Sequence, residues 1–358
     1  MDQPTTPTNE SGPDPADGSG EGHNSTKKRR NIFASLADVR EASIFVFIIV
    51  LIAIVGLRSG NAFLNPENFR DILLDISILT LVAIGQMMML MTRSIDLSLG
   101  SGIGLSAMAI GMFVSAHWGL PPIIAVLMGI GLGILCGIFN GLVVTIGKVP
   151  PLITTLGTLS IYRGLVYVVS QGAWVDAHEL PPAFKNFTVT TFLGLPALVY
   201  YAAIVAVIFF YVLNYTRFGR QIYAVGSNPL ADQFAGIRVN RIIFTVYILS
   251  GALYGLGGVF WVSRYANAAN NTAMGWELQA VAAAVIGGVS FAGGIGTLPG
   301  LLLGVFVLGI INNAVNLVGI SPFWKQILYG VVILAAVISD SLIAQRLQRT
   351  LRLRRATS

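Results

Sequence analysis

The sequence predicts an all-α fold: a polytopic membrane helix bundle of about ten transmembrane helices, with both termini in the cytoplasm. Of its 358 residues, 54% are hydrophobic and 11% are charged, whereas an ordinary soluble domain carries roughly 25% charged residues. The apolar runs approach the length of about 20 residues that spans a bilayer. They lack strand-like alternation, and a helix satisfies its own backbone hydrogen bonds in lipid, so each run is predicted to be helical.

Residues 1–40 are predicted to form a disordered polar cytoplasmic tail that ends in a basic run, Lys27 to Arg30. Its prolines, glycines and acidic residues leave too little apolar surface to offset the entropy of ordering. A nucleic-acid patch is the alternative for the basic run, but the apolar run that begins near Ala42 favours a membrane surface and no nucleic acid. That run begins too late for a signal peptide and is therefore interpreted as a retained span.

A transmembrane domain is predicted over residues 41–345, followed by a basic cytoplasmic C-terminal tail at 346–358. Hydropathy places ten spans in this domain, at about residues 42–57, 72–92, 97–116, 123–147, 152–170, 197–213, 242–263, 277–292, 300–318 and 326–344. With the N-terminus inside, 16 Lys and Arg residues fall on the cytoplasmic side and 5 on the other. Because basic residues stay preferentially in the cytoplasm, an even number of spans is predicted.

Glycines recur every fourth residue in the fourth span, at Gly129, Gly133, Gly137 and Gly141. This spacing places them on one ridge, where a neighbouring helix can approach closely. Shorter repeats of the same kind occur at 251/255 and 300/304. We expect a compact bundle of closely packed helices.

No motif predicts a catalytic residue or a cofactor in this chain. Gly147-Lys148 resembles the end of a phosphate-binding loop, but Gly141 lies one residue too far away and Val149 replaces the required Ser or Thr. The single cysteine and three scattered histidines give neither a disulfide framework nor a metal site.

Asp96 is the most conspicuous charge between two long apolar runs. A charge at the bilayer centre costs roughly 3 kcal/mol, so Asp96 must lie at an interface, face a wet cavity or be paired. In one account Ser94 caps a helix, Asp96 favours its N-terminus, and Arg93 pairs with Asp96 at i,i+3. In the other, Asp96 takes a direct part in a transport path.

Further polar side chains interrupt the apolar runs, and lipid contact would be costly for each of them. Together with Asp96 they form the candidate translocation path: Gln86, Asn140, Thr155, Arg163, Glu277, Asn312 and Asn313. Arg163 either snorkels to an interface or faces the bundle interior. The amides suit a neutral polyhydroxylated solute, whereas an ion would call for charged partners; interhelical hydrogen bonds explain these amides equally well.

The longest loop on the basic side, residues 214–241, is predicted to display a short amphipathic helix. Its residues of interest are Asn228, Pro229, Leu230, Phe234, Ala235, Gly236 and Ile237. The asparagine caps the helix, the proline suits its first turn, and the glycine ends it. The three large apolar residues share one face, which needs an apolar partner: either the lipid surface or another protein.

Five ordered segments resemble the permease subunits of bacterial ABC monosaccharide importers of the ribose, xylose, arabinose, rhamnose and autoinducer-2 type. The segments are 94–101, 149–158, 219–228, 235–237 and 281–296, within a resemblance that covers roughly residues 40–345. The family usually has Gly-Gly where this chain has Arg93-Ser94.

The resemblance implies a ten-helix permease in the bacterial inner membrane and no enzyme activity in this chain. It implies three partners: a second permease subunit of the same or a homologous chain, a cytoplasmic ABC ATPase that holds ATP-Mg, and a periplasmic solute-binding protein. It also implies that residues 228–237 couple the permease to the ATPase. The alternatives are a branched-chain amino-acid ABC permease and an ion-coupled secondary transporter, for which Asp96 would be the main coupling residue.

Overall fold

A computed structural model describes residues 44–59, 62–227, 236–319, 321, 323–335 and 337–338. Both predicted tails lie outside these residues. The described part forms helices α1 (Ile44–Ser59), α2 (Pro66–Met91), α3 (Leu99–Ala116), α4 (Pro122–Thr145), α5 (Pro151–Ser170), α6 (Pro182–Val189), α7 (Ala197–Tyr215), α8 (Arg217–Ser227), α9 (Val239–Tyr265), α10 (Trp276–Ile286), α11 (Leu298–Leu317) and α12 (Phe323–Ala335). A short 3-10 turn, Ala177–Glu179, and an antiparallel hairpin of β1 (Thr191–Phe192) and β2 (Leu195–Pro196) lie between α5 and α7.

The polytopic all-α prediction is confirmed. Among the described residues, seven helices are long and apolar enough to cross a membrane: α2, α3, α4, α5, α7, α9 and α11. Each coincides with a predicted span, and the shorter apolar helices α1, α10 and α12 coincide with the other three.

The eighth predicted span, 277–292, differs from the helix that occupies it. Helix α10 has 11 residues and ends at Ile286, so it is about 16 Å long at 1.5 Å per residue. The apolar character continues beyond the helix, but Gly288, Gly293 and Gly294 adopt left-handed backbone conformations there. The chain therefore forms a glycine-rich turn, residues 287–296, before α11 begins.

The loop predicted at 214–241 contains a helix that the sequence reasoning missed. Helix α8 buries Gly219, Ile222, Val225 and Gly226 and leaves its basic residues Arg217 and Arg220 unburied. Because α8 mixes apolar residues with arginines, it forms no continuous apolar run. A search for membrane spans by hydropathy therefore does not detect it.

Helices α2, α3 and α9 form the centre of the bundle. In their most apolar windows, 89%, 72% and 67% of the residues are buried, against 22% for α7. The large exposed apolar side chains of α5 and α7, such as Val168 and Val207, suit contact with lipid. The polar residues described below come from several helices, including α2, α4, α5 and α11.

The glycine ridge of α4 packs directly against α9. A Cβ added at Gly133 would clash with the Gly251 carbonyl oxygen, and one added at Gly255 would clash with the Gly129 carbonyl oxygen. The predicted close approach is therefore present, and its partner is the second glycine repeat. Gly304 makes the same kind of contact between α11 and the Ala283 carbonyl of α10.

Candidate functional site

A cavity of about 410 Å³ lies where the ends of several helices converge. Helix α9 reaches it at its C-terminal end, α10 at its N-terminal end, α11 at its C-terminal end and α12 at its N-terminal end, while α2 contributes Asp75. Because Asp75 and Met91 are sixteen residues apart on α2, the cavity lies about 24 Å from the far end of that helix. The far end carries Arg93 and is the end predicted to face the cytoplasm.

Aromatic rings form one wall of this cavity. The ring centroids of Trp261 and Trp276 are 4.9 Å apart in an edge-to-face arrangement, and those of Trp261 and Tyr265 are 4.6 Å apart. The indole Nε1–H of Trp261 is buried and has no hydrogen-bond partner among the described residues. Because buried donors are almost always paired, this N–H is an unsatisfied donor in a side chain that lines the cavity.

Amide side chains also line the cavity: Gln279 from α10, Asn312, Asn313 and Asn316 from α11, and Gln326 from α12. Asn313 exchanges hydrogen bonds with Asn68, at 2.6 Å and 3.1 Å, which fixes α11 to α2. The Tyr329 hydroxyl donates to Asn312 Oδ1. These contacts orient two of the amides before any solute arrives.

The charged groups at the cavity already have partners within the protein. Asp75 Oδ1 accepts a 2.8 Å hydrogen bond from the Tyr265 hydroxyl, and Lys325 Nζ donates to Asn316 Oδ1 at 2.9 Å. Beside the cavity, Arg264 Nη2 forms a 2.8 Å salt bridge with Asp71. Asp75 and Lys325 keep their charges, but amides and aromatic rings outnumber them, so a solute meets mainly neutral polar groups and aromatic faces.

Of the predicted path residues, the structure brings Asn312 and Asn313 into this cavity. Asp96, Asn140 and Thr155 lie together elsewhere, in a buried network. Asp96 Oδ1 accepts hydrogen bonds from the backbone N and the hydroxyl of Ser98, at 2.8 Å and 2.6 Å. Asn140 Nδ2 donates to Ser98 Oγ at 2.9 Å, and Thr155 Oγ1 donates to the Ile95 carbonyl at 3.3 Å.

This network joins the turn between α2 and α3 to α4 and α5. The Tyr162 hydroxyl extends it, since this group lies 2.9 Å from the Cys136 carbonyl and 3.2 Å from Asn140 Oδ1 and its proton is shared between these acceptors. Burial raises the pKa of Asp96 to about 6, although the two hydrogen bonds from Ser98 act in the opposite direction. Arg93 does not pair with Asp96, contrary to the local account; its side chain reaches α8 instead.

Arg163 and Glu277 form a second polar cluster, away from Asp96. Arg163 Nη1 donates to the carbonyls of Asn270 and Thr272, both at 2.9 Å, and so holds the loop between α9 and α10. Arg163 and Glu277 also interact electrostatically. A Cβ at Gly104 of α3 would lie 2.9 Å from Arg163 Nη1, so the small residues of α3 leave space for this cluster. Arg163 thus faces the bundle interior, one of the two predicted alternatives.

Gln86 stands apart from all of these groups. It is fully buried in α2, and neither its amide nitrogen nor its amide oxygen has a hydrogen-bond partner among the described residues. Its assignment to the path stays a prediction.

Most of the predicted coupling residues, Asn228, Pro229, Leu230, Phe234 and Ala235, lie outside the described residues. Gly236 has a φ of +78°, the left-handed conformation expected of a glycine that ends a turn. Ile237 is partly buried and packs against the core of the bundle itself.

The aromatic wall, Gln279 and Lys325 are not among the site residues predicted from the sequence. A usable signal was present: aromatic and amide residues cluster where α9 and α11 end and where α10 and α12 begin. In an antiparallel bundle these four ends meet on the same side of the membrane.

Within the described residues, seven helices apolar enough to span a membrane, with a polar cavity at one end of the bundle, are typical of a polytopic membrane transport protein. Residues 68–337 match the protein family described as "Branched-chain amino acid transport system / permease component", and the chain belongs to this family. It is 37% identical over 303 residues to the ribose import permease protein RbsC of Escherichia coli K12, covering 84% of this chain and 94% of that protein.

Two further relatives are of similar closeness. The ribose import permease protein RbsC of Bacillus subtilis is 37% identical over 297 residues, covering 83% of this chain and 91% of the relative. The autoinducer 2 import system permease protein LsrC of Salmonella typhi is 34% identical over 313 residues, covering 87% and 89%. No solved structure shows significant similarity to the chain.

Family membership and the seven spanning helices identify a multi-pass inner-membrane protein. It is a permease component of an ABC transporter system and therefore a transporter subunit rather than an enzyme.

Proposed function

We propose that this chain translocates a monosaccharide, or a similar small polyol-like solute, across the bacterial inner membrane by ATP-driven alternating access. The observation that carries the proposal is the cavity lined by indoles and amides at one end of the spanning helices. Aromatic rings pack against the apolar face of a sugar ring, while amides can bind its hydroxyl groups. We also propose that the buried Trp261 N–H donates to the solute once it is bound. The relatives named for ribose and autoinducer 2 support the same solute class.

The branched-chain amino-acid alternative is supported by the description of the family. A zwitterionic amino acid requires one positive and one negative partner in the protein. Asp75 and Lys325 have suitable charges, but each is already hydrogen-bonded to another side chain. Because five amide side chains line the cavity against one carboxylate and one ammonium, its mainly neutral surface favours the sugar over the amino acid.

The partners follow from the importer assignment. We propose that ATP-Mg binds to a separate ABC ATPase that docks on the cytoplasmic face through residues 228–237. A second permease subunit, identical or homologous, completes the pathway, and a periplasmic solute-binding protein delivers the solute to the end of the bundle that carries the cavity. This chain itself needs no cofactor.

Replacing Trp261 with Phe tests the cavity directly, because the change keeps an aromatic ring and removes the unpartnered N–H. Loss of one hydrogen bond of about 1 kcal/mol should lower D-ribose uptake about fivefold at a saturating concentration of the binding protein. The matched control is Trp118→Phe, since Trp118 is 56% exposed and does not line the cavity. Equal uptake by the two variants, or leucine competing better than ribose, would contradict the proposal.

A further inference from the structure

Three segments of the chain meet at the end of the bundle opposite the cavity. They are the turn after α2 (residues 91–93), the C-terminal end of α8 (residues 226–227) and the glycine-rich turn 287–296. Gly294 N donates to the Met91 carbonyl at 2.9 Å, which joins the first segment to the third. The Tyr223 hydroxyl donates to the Gly296 carbonyl at 2.9 Å, which joins α8 to the third.

The packing at this junction leaves no space for side chains at the contact points. A Cβ added at Gly226 would clash with the Met91 carbonyl oxygen and with Gly294 N, and one added at Gly294 would clash with Ser227 Oγ. The three backbones are therefore in direct contact, and a displacement of one segment must displace the others.

Arg93 connects the first segment to the last residues of α8. Its Nε donates to the Gly226 carbonyl at 2.6 Å, and its Nη2 donates to the Ser227 carbonyl at 2.9 Å. The last carbonyls of a helix lack intrahelical partners and carry partial negative charge, so a guanidinium is a suitable cap for them. Two parallel donors also fix the direction of α8 more firmly than a single ammonium would.

The backbone of Arg93 is held in an uncommon conformation. Its φ is +57°, in the left-handed region that a glycine adopts without cost and an arginine does not. Backbone geometry alone would therefore favour glycine at this position. The two hydrogen bonds of the side chain to α8 explain why an arginine is suitable there.

We propose that Arg93 is a positioning residue that fixes the end of α8 to the turn after α2 and to the turn 287–296. Residue 227 directly precedes the segment that the proposed function assigns to ATPase docking, and the inference rests on that assignment. A displacement of this segment then passes through the junction to α10 and α11, whose opposite ends line the cavity. Arg93 thus links ATPase movement to the solute site.

Hydrogen–deuterium exchange of the full chain in lipid nanodiscs tests the junction without any knowledge of the solute. Arg93→Gly removes both hydrogen bonds and relieves the left-handed strain, and should raise exchange in residues 221–227 about fivefold or more. Lys148→Gly is the matched control: Lys148 also has a left-handed backbone, with a φ of +55°, and lies on the same predicted face. Its side chain makes no hydrogen bond to another described residue. Equal exchange at 221–227 in the two variants would overturn the inference.

The same variants in complex with the ATPase test transmission. In the wild-type complex, ATP should change the exchange of residues 287–296; in Arg93→Gly this change should be lost although the ATPase still co-purifies. Arg93→Lys should restore it in part, because one donor remains. A change that persists in Arg93→Gly would overturn transmission through Arg93. If no ABC ATPase co-purifies with the wild-type chain, the proposed function fails, and exchange at 221–227 in the isolated chain still decides whether Arg93 holds the junction.

Discussion

Replacing Gly133 with Ala should destabilise the bundle, because the contact between α4 and α9 has no space for a methyl group. The added Cβ would lie 2.8 Å from the Gly255 Cα and would clash with the Gly251 carbonyl. Both are backbone atoms, so no flexible side chain can move aside. Overpacking of this kind costs about 1–3 kcal/mol, which exceeds the gain of up to ~1 kcal/mol from replacing a helical glycine with alanine.

Gly131→Ala is the matched control in the same helix, since a Cβ at Gly131 would meet nothing within 4 Å. This variant should be as stable as the wild type, or more stable by up to ~1 kcal/mol from helix propensity. Thermal unfolding of both purified variants in the same detergent, followed by fluorescence-detected size-exclusion chromatography, measures the difference. If Gly133→Ala melts at or above the temperature of Gly131→Ala, the close packing of the two glycine ridges is refuted.

Three further predictions concern the polar clusters and the docking segment. Asn140→Leu should lower stability by about 1–3 kcal/mol, because the buried Ser98 hydroxyl loses its amide donor; chemical denaturation in detergent measures this. Arg163→Gln should release the loop between α9 and α10 and increase its cleavage in limited proteolysis, whereas unchanged cleavage would contradict the role of its two carbonyl contacts. Leu230→Asp combined with Phe234→Asp should abolish co-purification with the ATPase while membrane insertion persists; retained binding would refute the docking assignment.

Hydropathy predicted the spanning helices closely because each helix needs an apolar run of about 20 residues to cross the lipid. The predicted spans 152–170 and 197–213 correspond to Pro151–Ser170 and Ala197–Tyr215. The glycine ridge was also predictable, since a four-residue period places its members on one helix face. Its partner on α9 was not, because spacing within one helix does not show which neighbour approaches it.

The cavity could not be predicted by residue type alone. Sequence reasoning grouped Asp96 with Asn312 because both are polar residues next to or within apolar runs. The structure separates them: Asp96 is in a buried network near the end of α2, and Asn312 lines the cavity at the other end. A polar residue in a membrane bundle can stabilise the packing of helices or bind a solute, and only the three-dimensional arrangement of its partners distinguishes these roles.

The early end of α10 could not be predicted from hydropathy either. Hydropathy remains high beyond Ile286, so a window of apolar residues extends the span. The left-handed glycines at 288, 293 and 294 instead form the turn that contacts α8 and the end of α2. The turn lies at the end of the bundle opposite the cavity and supplies one side of the Arg93 junction.

Reconstituted transport tests the central claim most directly. Proteoliposomes should contain the full chain, its ATPase facing the side that receives ATP-Mg, and the binding protein loaded with labelled D-ribose on the other side. We predict uptake of chemically unchanged ribose that stops when ATP or the ATPase is omitted and that persists when a protonophore is added. Uptake without the ATPase that collapses with the protonophore would contradict the account.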